Sequence, residues 1–246
     1  MYKKYKTIKI DIHIFVMKTL FSINDEFDIY QDNRKSTLFT ITNNNNINTS
    51  SNHSSNPLFD SIIKTKLITN STVLTQNNIQ KSISFKAFNV ESFNHFKERH
   101  TKTNGSNNLP HEIILNIIYS LSKQILYLLK NESKCFYRMD VSNILVIDDC
   151  NFIYLSHQDL KDVKGKNICI YTPISKNKGY LSPELKISKT IPILVSYKTI
   201  FYSLGSLIID NVDNIDDLSC MKDTKLYYFL KRCLYEDPDK RFLLYV

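Results

Sequence analysis

The chain has 246 residues, of which 42% are hydrophobic, 12% aromatic and 23% charged, enough apolar material for one compact domain or two small lobes. The net charge of +8 comes from lysines spread along the sequence, with no block as dense as a nucleic-acid arm, so a solvated surface is read and nucleic acid is not expected as a partner. The five cysteines, Cys135, Cys150, Cys169, Cys220 and Cys233, form an odd set without a C-x-x-C pair or zinc-ligand spacing, which fits a reducing, cytoplasmic setting.

Met1 to Leu20 imitates a signal peptide, with Lys3, Lys4, Lys6 and Lys9 ahead of Ile12 to Leu20. Lys18 interrupts the apolar stretch and no small-residue cleavage site follows, so secretion is not expected. No uncharged run approaches the roughly 18 residues of a membrane span. Ile8, Ile10, Ile12, Ile14 and Val16 alternate with other residues and predict a strand that opens a β-rich lobe. Residues 42–56 are rich in Asn, Ser and Thr and hold little that could be buried apart from Ile47, which predicts a disordered insertion.

Beyond it, residues 58–67 predict a helix, residues 71–75 and 83–88 strands, and residues 90–100 a short helix with Phe93 and Phe96 on one side. The polar, glycine-containing stretch 101–108 reads as a linker, and the lobe boundary is placed near Phe88. His95 and His100 flank Glu98, but a five-residue separation does not put two imidazoles on one helix face, so no metal site is expected there. No Ser-His-Asp or Cys-His arrangement with supporting glycines points to hydrolase chemistry.

Ile113, Ile114, Ile117, Ile118, Leu121, Ile125, Leu128 and Leu129 recur at three- and four-residue steps and predict a long amphipathic helix. Pro110 suits its first position, and Glu112 the positive end of its dipole. After a short polar loop, residues 144–147 and 152–155 read as a hairpin joined by the four residues 148–151, packing on the helix and presenting the loop at a rim.

Four segments then stand in a telling order: Tyr137-Arg138-Met139-Asp140-Val141-Ser142-Asn143, Gly179-Tyr180-Leu181-Ser182-Pro183-Glu184-Leu185, Tyr202-Ser203-Leu204-Gly205-Ser206-Leu207, and Cys233-Leu234-Tyr235-Glu236-Asp237-Pro238-Asp239-Lys240-Arg241. Over about half the chain they resemble the catalytic loop, the Ala-Pro-Glu segment, the buried Ser-Leu-Gly helix and the late C-lobe motif of a eukaryotic-type protein kinase. The resemblance implies a two-lobed α+β fold, with a small β-rich N-lobe over residues 1–88 and a larger, mainly helical C-lobe over residues 89–246. It implies Asp140 as catalytic base beside Arg138, Asn143 and Asp159 as metal ligands, and ATP with magnesium as cofactors if chemistry is retained. Phe15-Val16-Met17-Lys18 is similar to the V-A-I-K strand, which would make Lys18 the phosphate-contacting lysine; otherwise it is a surface lysine ending a strand. Glu184 and Arg241 match a structural ion pair of that family.

The departures bear on function. In the family the loop aspartate and asparagine are five positions apart, whereas Asp140 and Asn143 are three apart, so either Arg138 takes the aspartate's place or two residues are lost, the loop lysine among them. The metal-binding D-F-G is replaced by His157-Gln158-Asp159, and Asp159 serves only if the loop shifts by two residues. Nothing before residue 105 is glycine, so no glycine-rich loop covers phosphates, and no helix glutamate suits Lys18. The aspartate that opens the family's Ser-Leu-Gly helix falls at Ile200, which removes the expected support of the catalytic loop, and the chain stops five residues after Arg241, shortening the final helix. Together these predict a catalytically impaired, pseudokinase-like module with a protein partner. The alternatives are a weakly active serine/threonine kinase and a basic interaction protein binding nucleic acid or a partner surface.

Overall fold

The computed structural model describes residues 17–44, 56–76, 79–105, 108–212 and 221–244. The strand expected at residues 8–16, most of the Asn-rich stretch 42–56 and Cys220 lie outside them. The chain is α+β, with antiparallel sheets and, among the described residues, six α-helices. It divides into two compact units after Val90.

The first unit is built on a five-stranded antiparallel sheet of β1 (Met17–Ile23), β2 (Phe27–Asp32), β3 (Leu38–Asn43), β4 (Thr72–Gln76) and β5 (Ile79–Lys86), ordered β1-β2-β3-β5-β4. Its core follows from alternation, because β-branched and aromatic side chains at every second position share one face. Ile29 faces Ile41, Ile41 faces Ile83 and Ile83 faces Val73, a row across four strands whose three isoleucines are fully buried. Phe39 and Phe85 stack beside them at 6.1 Å. Asn24 and Asp25 both take positive φ to close the β1–β2 turn, a conformation that short Asx side chains tolerate. Helix α1 (Pro57–Lys64) starts where Asn56 accepts from the Leu58 amide and Pro57 supplies a preset φ; it buries Leu58, Phe59 and Ile62, with Phe59 against Phe27 of β2. The helix is shorter than the 58–67 span expected, because Thr65 caps it.

At the division between the units, β6 (Val90–Ser92) precedes α2 (Phe93–Asn104) of the second unit, so the helix expected from residue 90 starts three residues later, where Ser92 caps it. Helix α3 (His111–Asn131) buries Ile114, Ile117, Ile118, Leu121, Ile125 and Leu128, with Pro110 at the N-cap rather than inside. It is the one described helix long and apolar enough to cross a membrane by length and composition, and its apolar stripe is packed against strands of this unit. The hairpin β8 (Ile144–Ile147) and β9 (Asn151–Tyr154) lies on it, joined by three residues rather than four because Asp148 and Asp149 both take positive φ. Arg99 of α2 ties down that turn through Asp149 at 2.6 Å and also holds Glu91 at 2.6 Å.

Gln124 of α3 is buried and acts as an extra strand edge, accepting from the Tyr154 amide at 2.9 Å and donating to the Tyr154 carbonyl at 3.0 Å. Gln124→Leu is expected to destabilise the protein by about 1–3 kcal/mol, because both backbone groups stay buried without partners. Chemical denaturation against the wild type measures it.

A four-stranded sheet, ordered β12-β11-β10-β7, joins β7 (Lys134–Phe136), β10 (Leu160–Lys164), β11 (Asn167–Ile170) and β12 (Ile193–Ser196). Helix α4 (Pro183–Ile187) lies between β11 and β12 in the chain, and α5 (Thr199–Ile209) and α6 (Lys225–Cys233) follow β12. Gly205 lets α5 and α6 touch, since a Cβ there would stand 2.9 Å from the Cys233 Cβ.

Candidate functional site

The segment after β7 turns back on itself through a short helical turn, residues 141–143, and is held from three directions. Asp140 caps that turn, its Oδ1 accepting from the Ser142 amide at 3.1 Å. The Ser142 hydroxyl lies 2.8 Å from Asp140 Oδ1 and 3.2 Å from Asn143 Oδ1, so its one proton serves one of them at a time. From β9, the buried Tyr154 hydroxyl accepts from the Asp140 amide at 3.1 Å and from Asn143 Nδ2 at 3.3 Å. From the stretch after β9, Asp159 brings its carboxylate beneath the loop.

Asp159 is fully buried. Its Oδ1 accepts from Arg138 Nε at 2.7 Å; its Oδ2 accepts from the Tyr154 hydroxyl at 2.7 Å and from Asn143 Nδ2 at 3.2 Å. Its backbone is engaged too, the amide donating to Ser156 Oγ and the carbonyl accepting from the Tyr137 amide. Burial alone would weaken the charge on Arg138, but the Asp159 carboxylate beside it more than offsets this and its pKa is raised. Burial, reinforced by the charge of Asp159 and its hydrogen bond, pushes the Tyr154 phenol well above its ordinary value. Burial and the same charge push Tyr137 up to about 12. Arg138 and Asp159 therefore balance each other's charge, and the Tyr154 hydroxyl links that carboxylate to Asn143 and the Asp140 amide.

Four residues singled out from the sequence, Arg138, Asp140, Asn143 and Asp159, thus meet in one hydrogen-bonded cluster. The carboxylate oxygens of Asp159 accept from three donors, one of them a cation. Among the described residues no group of three or more His, Cys, Asp or Glu is placed to hold a metal ion. Asn143 and Asp159, named as metal ligands if chemistry is retained, stand next to each other, Asn143 Nδ2 donating to Asp159 Oδ2 at 3.2 Å. Lys18 belongs to the first unit, exposed on the edge strand β1 opposite Gln31.

The surrounding frame is made by contacts that the motifs only outlined. Arg241, fully buried, donates to both carboxylate oxygens of Glu184 at 2.6 and 2.9 Å and to the carbonyls of Tyr235 and Glu236. Gly179 has φ +72°, and a Cβ there would stand 2.5 Å from the Met139 carbonyl oxygen, so only glycine permits the bridge in which Tyr180 donates to Met139 at 2.6 Å. The support under the loop, expected to be lost with Ile200, is supplied one residue earlier. Thr199, buried at the start of α5, has its hydroxyl 2.5 Å from Ser182 Oγ and 3.4 Å from the Tyr137 carbonyl. No spacing signal marked Thr199, Gln124 or Tyr154: the first stands beside the motif position, the second sits in an apolar stripe and the third reads as a strand aromatic.

His157, beside the cluster, is held down to about 4 by burial. Its folded value lies below the unfolded 6.5, so the unfolded chain binds the extra proton and stability falls as the pH drops from about 6.5 to about 4. His157→Phe is expected to flatten that slope by up to about 1.4 kcal/mol per pH unit, read from denaturation midpoints across the window.

No protein-family model matches the chain, and no curated protein matches it either.

Proposed function

We propose that the chain is a degenerate protein-kinase-like domain that has lost phosphoryl transfer and works as a protein-binding or regulatory module in the cytoplasm. The observation that carries this reading is the Arg138–Asp159 pair. The carboxylate that stands nearest the family's D-F-G aspartate is buried and neutralised from within. Magnesium needs near-octahedral oxygen ligands and keeps several waters, so admitting it would require the guanidinium to leave. Phosphoryl transfer consists almost entirely of positioning and charge neutralisation, and this cluster supplies neither to a nucleotide.

The first unit supports the same reading by itself. It has no glycine, its first hairpin closes through Asn24 and Asp25, and the Arg34 and Lys35 amides in the next connection are spent on Asp32 Oδ1 at 2.7 and 3.1 Å. The family's phosphate lysine belongs to the third strand and pairs with a helix glutamate. Among the described residues Lys18 stands on β1, and α1 contains Asp60 but no glutamate. The Glu184–Arg241 pair supports the frame and is neutral on chemistry.

A weakly active serine/threonine kinase is the second reading, favoured by the meeting of Asp140, Asn143 and Asp159 in one cluster. Thermal unfolding with ATP, with and without magnesium, separates the two. A ligand at a hundred times its Kd stabilises by about 2.7 kcal/mol, a shift of several degrees. No magnesium-dependent shift is expected. A magnesium-dependent shift accompanied by phosphate incorporation that disappears in Asp140→Asn would overturn the proposal.

A further inference from the structure

We infer that the free edge of β12 is a docking strand for an acidic, extended segment of another protein. The inference goes beyond the kinase-like reading and stands on the geometry of one sheet. β12 ends the sheet ordered β12-β11-β10-β7, and its ladder runs wholly to β11. Among the described residues no other backbone hydrogen bond reaches residues 193–196. One face of the strand is anchored, because Ile193 and Val195 join Ile168, Ile170, Leu181 and Leu185 in a buried cluster. The other face is bare, with Leu194 opposite Cys169 and 67% exposed. Tyr171 just beyond β11 is 72% exposed, and Ile187 and Ile191 on the approach to β12 are exposed as well. β12 itself, four residues long, carries no charge and no proline, Pro192 standing just before it.

Charge selects the occupant. Residues 160–198 contain eight lysines and two acidic residues, a surplus of +6 out of +8 for the chain. Both acids are engaged elsewhere, Asp162 with Lys134 and Glu184 with Arg241. Lys164, Lys166, Lys186 and Lys189 are exposed, and among the described residues none of them forms an ion pair. Two copies of this chain would bring like charge to like charge, which argues against self-association here. An extended peptide alternating acidic and apolar residues meets every feature at once: main-chain partners for the open edge, side chains for Leu194 and its neighbours, and carboxylates for the lysines. Nucleic acid and an anionic bilayer answer the charge but bring no peptide ladder.

The test uses the full chain and a fluorescent 12-residue peptide of alternating glutamate and valine, read by anisotropy. Binding is expected to weaken with salt, to drop by about tenfold or more in Leu194→Asp and in the double variant Lys186→Glu, Lys189→Glu, and to vanish when alternate peptide amides are N-methylated. These side chains are exposed, so unchanged thermal unfolding confirms that each variant is folded. Binding of a lysine-valine peptide equal to that of the acidic one, or full retention by the N-methylated peptide, would overturn the inference. So would an absence of peptide binding, or tighter binding to oligonucleotide or phosphatidylserine vesicles that ignores Leu194→Asp.

Discussion

Arg138→Ala is expected to destabilise the second unit by about 3–5 kcal/mol, because it leaves the buried Asp159 charge without its cation. For a chain of this size that lowers the melting temperature by roughly 6–20 °C. The partners are not equivalent. The Arg138 side chain is 14% exposed and Asp159 1%, so Asp159→Asn strands an arginine that can still reach water and leaves a side-chain oxygen for Tyr154. Its effect should be the smaller of the two. Replacing both, as Arg138→Met with Asp159→Leu, is expected to recover much of the loss, since apolar substitutes of similar volume avoid desolvating charge. A loss below about 1 kcal/mol in Arg138→Ala would mean that water screens Asp159 as it does a surface carboxylate and that the cluster is not self-neutralised.

Arg241→Ala is the second large effect, also about 3–5 kcal/mol. The fully buried guanidinium holds both oxygens of Glu184 and the carbonyls of Tyr235 and Glu236, and lies over the Tyr202 ring with its carbon 5.0 Å from the centroid. Its removal opens a cavity and orphans all of these acceptors. Arg241→Lys should recover only part, because an ammonium cannot reproduce the two-pronged geometry. Glu184, 20% exposed, tolerates change better, so Glu184→Gln should be milder than Arg241→Ala in urea denaturation. Equal effects would show that the pair, rather than the arginine's full set of acceptors, sets the loss.

Much of the second unit's frame was legible in residue order. The isoleucine and leucine spacing of α3 and the runs of β8 and β9 carry their periods openly, because a buried face must repeat with the helix or strand that presents it. Strands β10, β11 and β12 were not legible: they are four or five residues long, β10 reads Leu-Lys-Asp-Val-Lys, and what makes them strands is mutual pairing. Lys18 shows the limit of a local pattern: the strand was legible, but its place on β1 opposite Gln31 is set by the sheet.

By itself the sequence determined where apolar faces lie, the order of the four segments, the lack of glycine before residue 105 and the lysine surplus over residues 160–198. Only the tertiary structure decided which polar groups satisfy one another: that Arg138 neutralises Asp159 from 21 positions away, that the Tyr154 hydroxyl joins Asp159 to Asn143 and the Asp140 amide, and that Thr199 supports the loop where Ile200 cannot. The reason is physical. Periodicity is a property of the local chain, whereas a buried charge must be answered by whatever donor the fold brings within hydrogen-bonding distance, and no spacing along the chain encodes that approach.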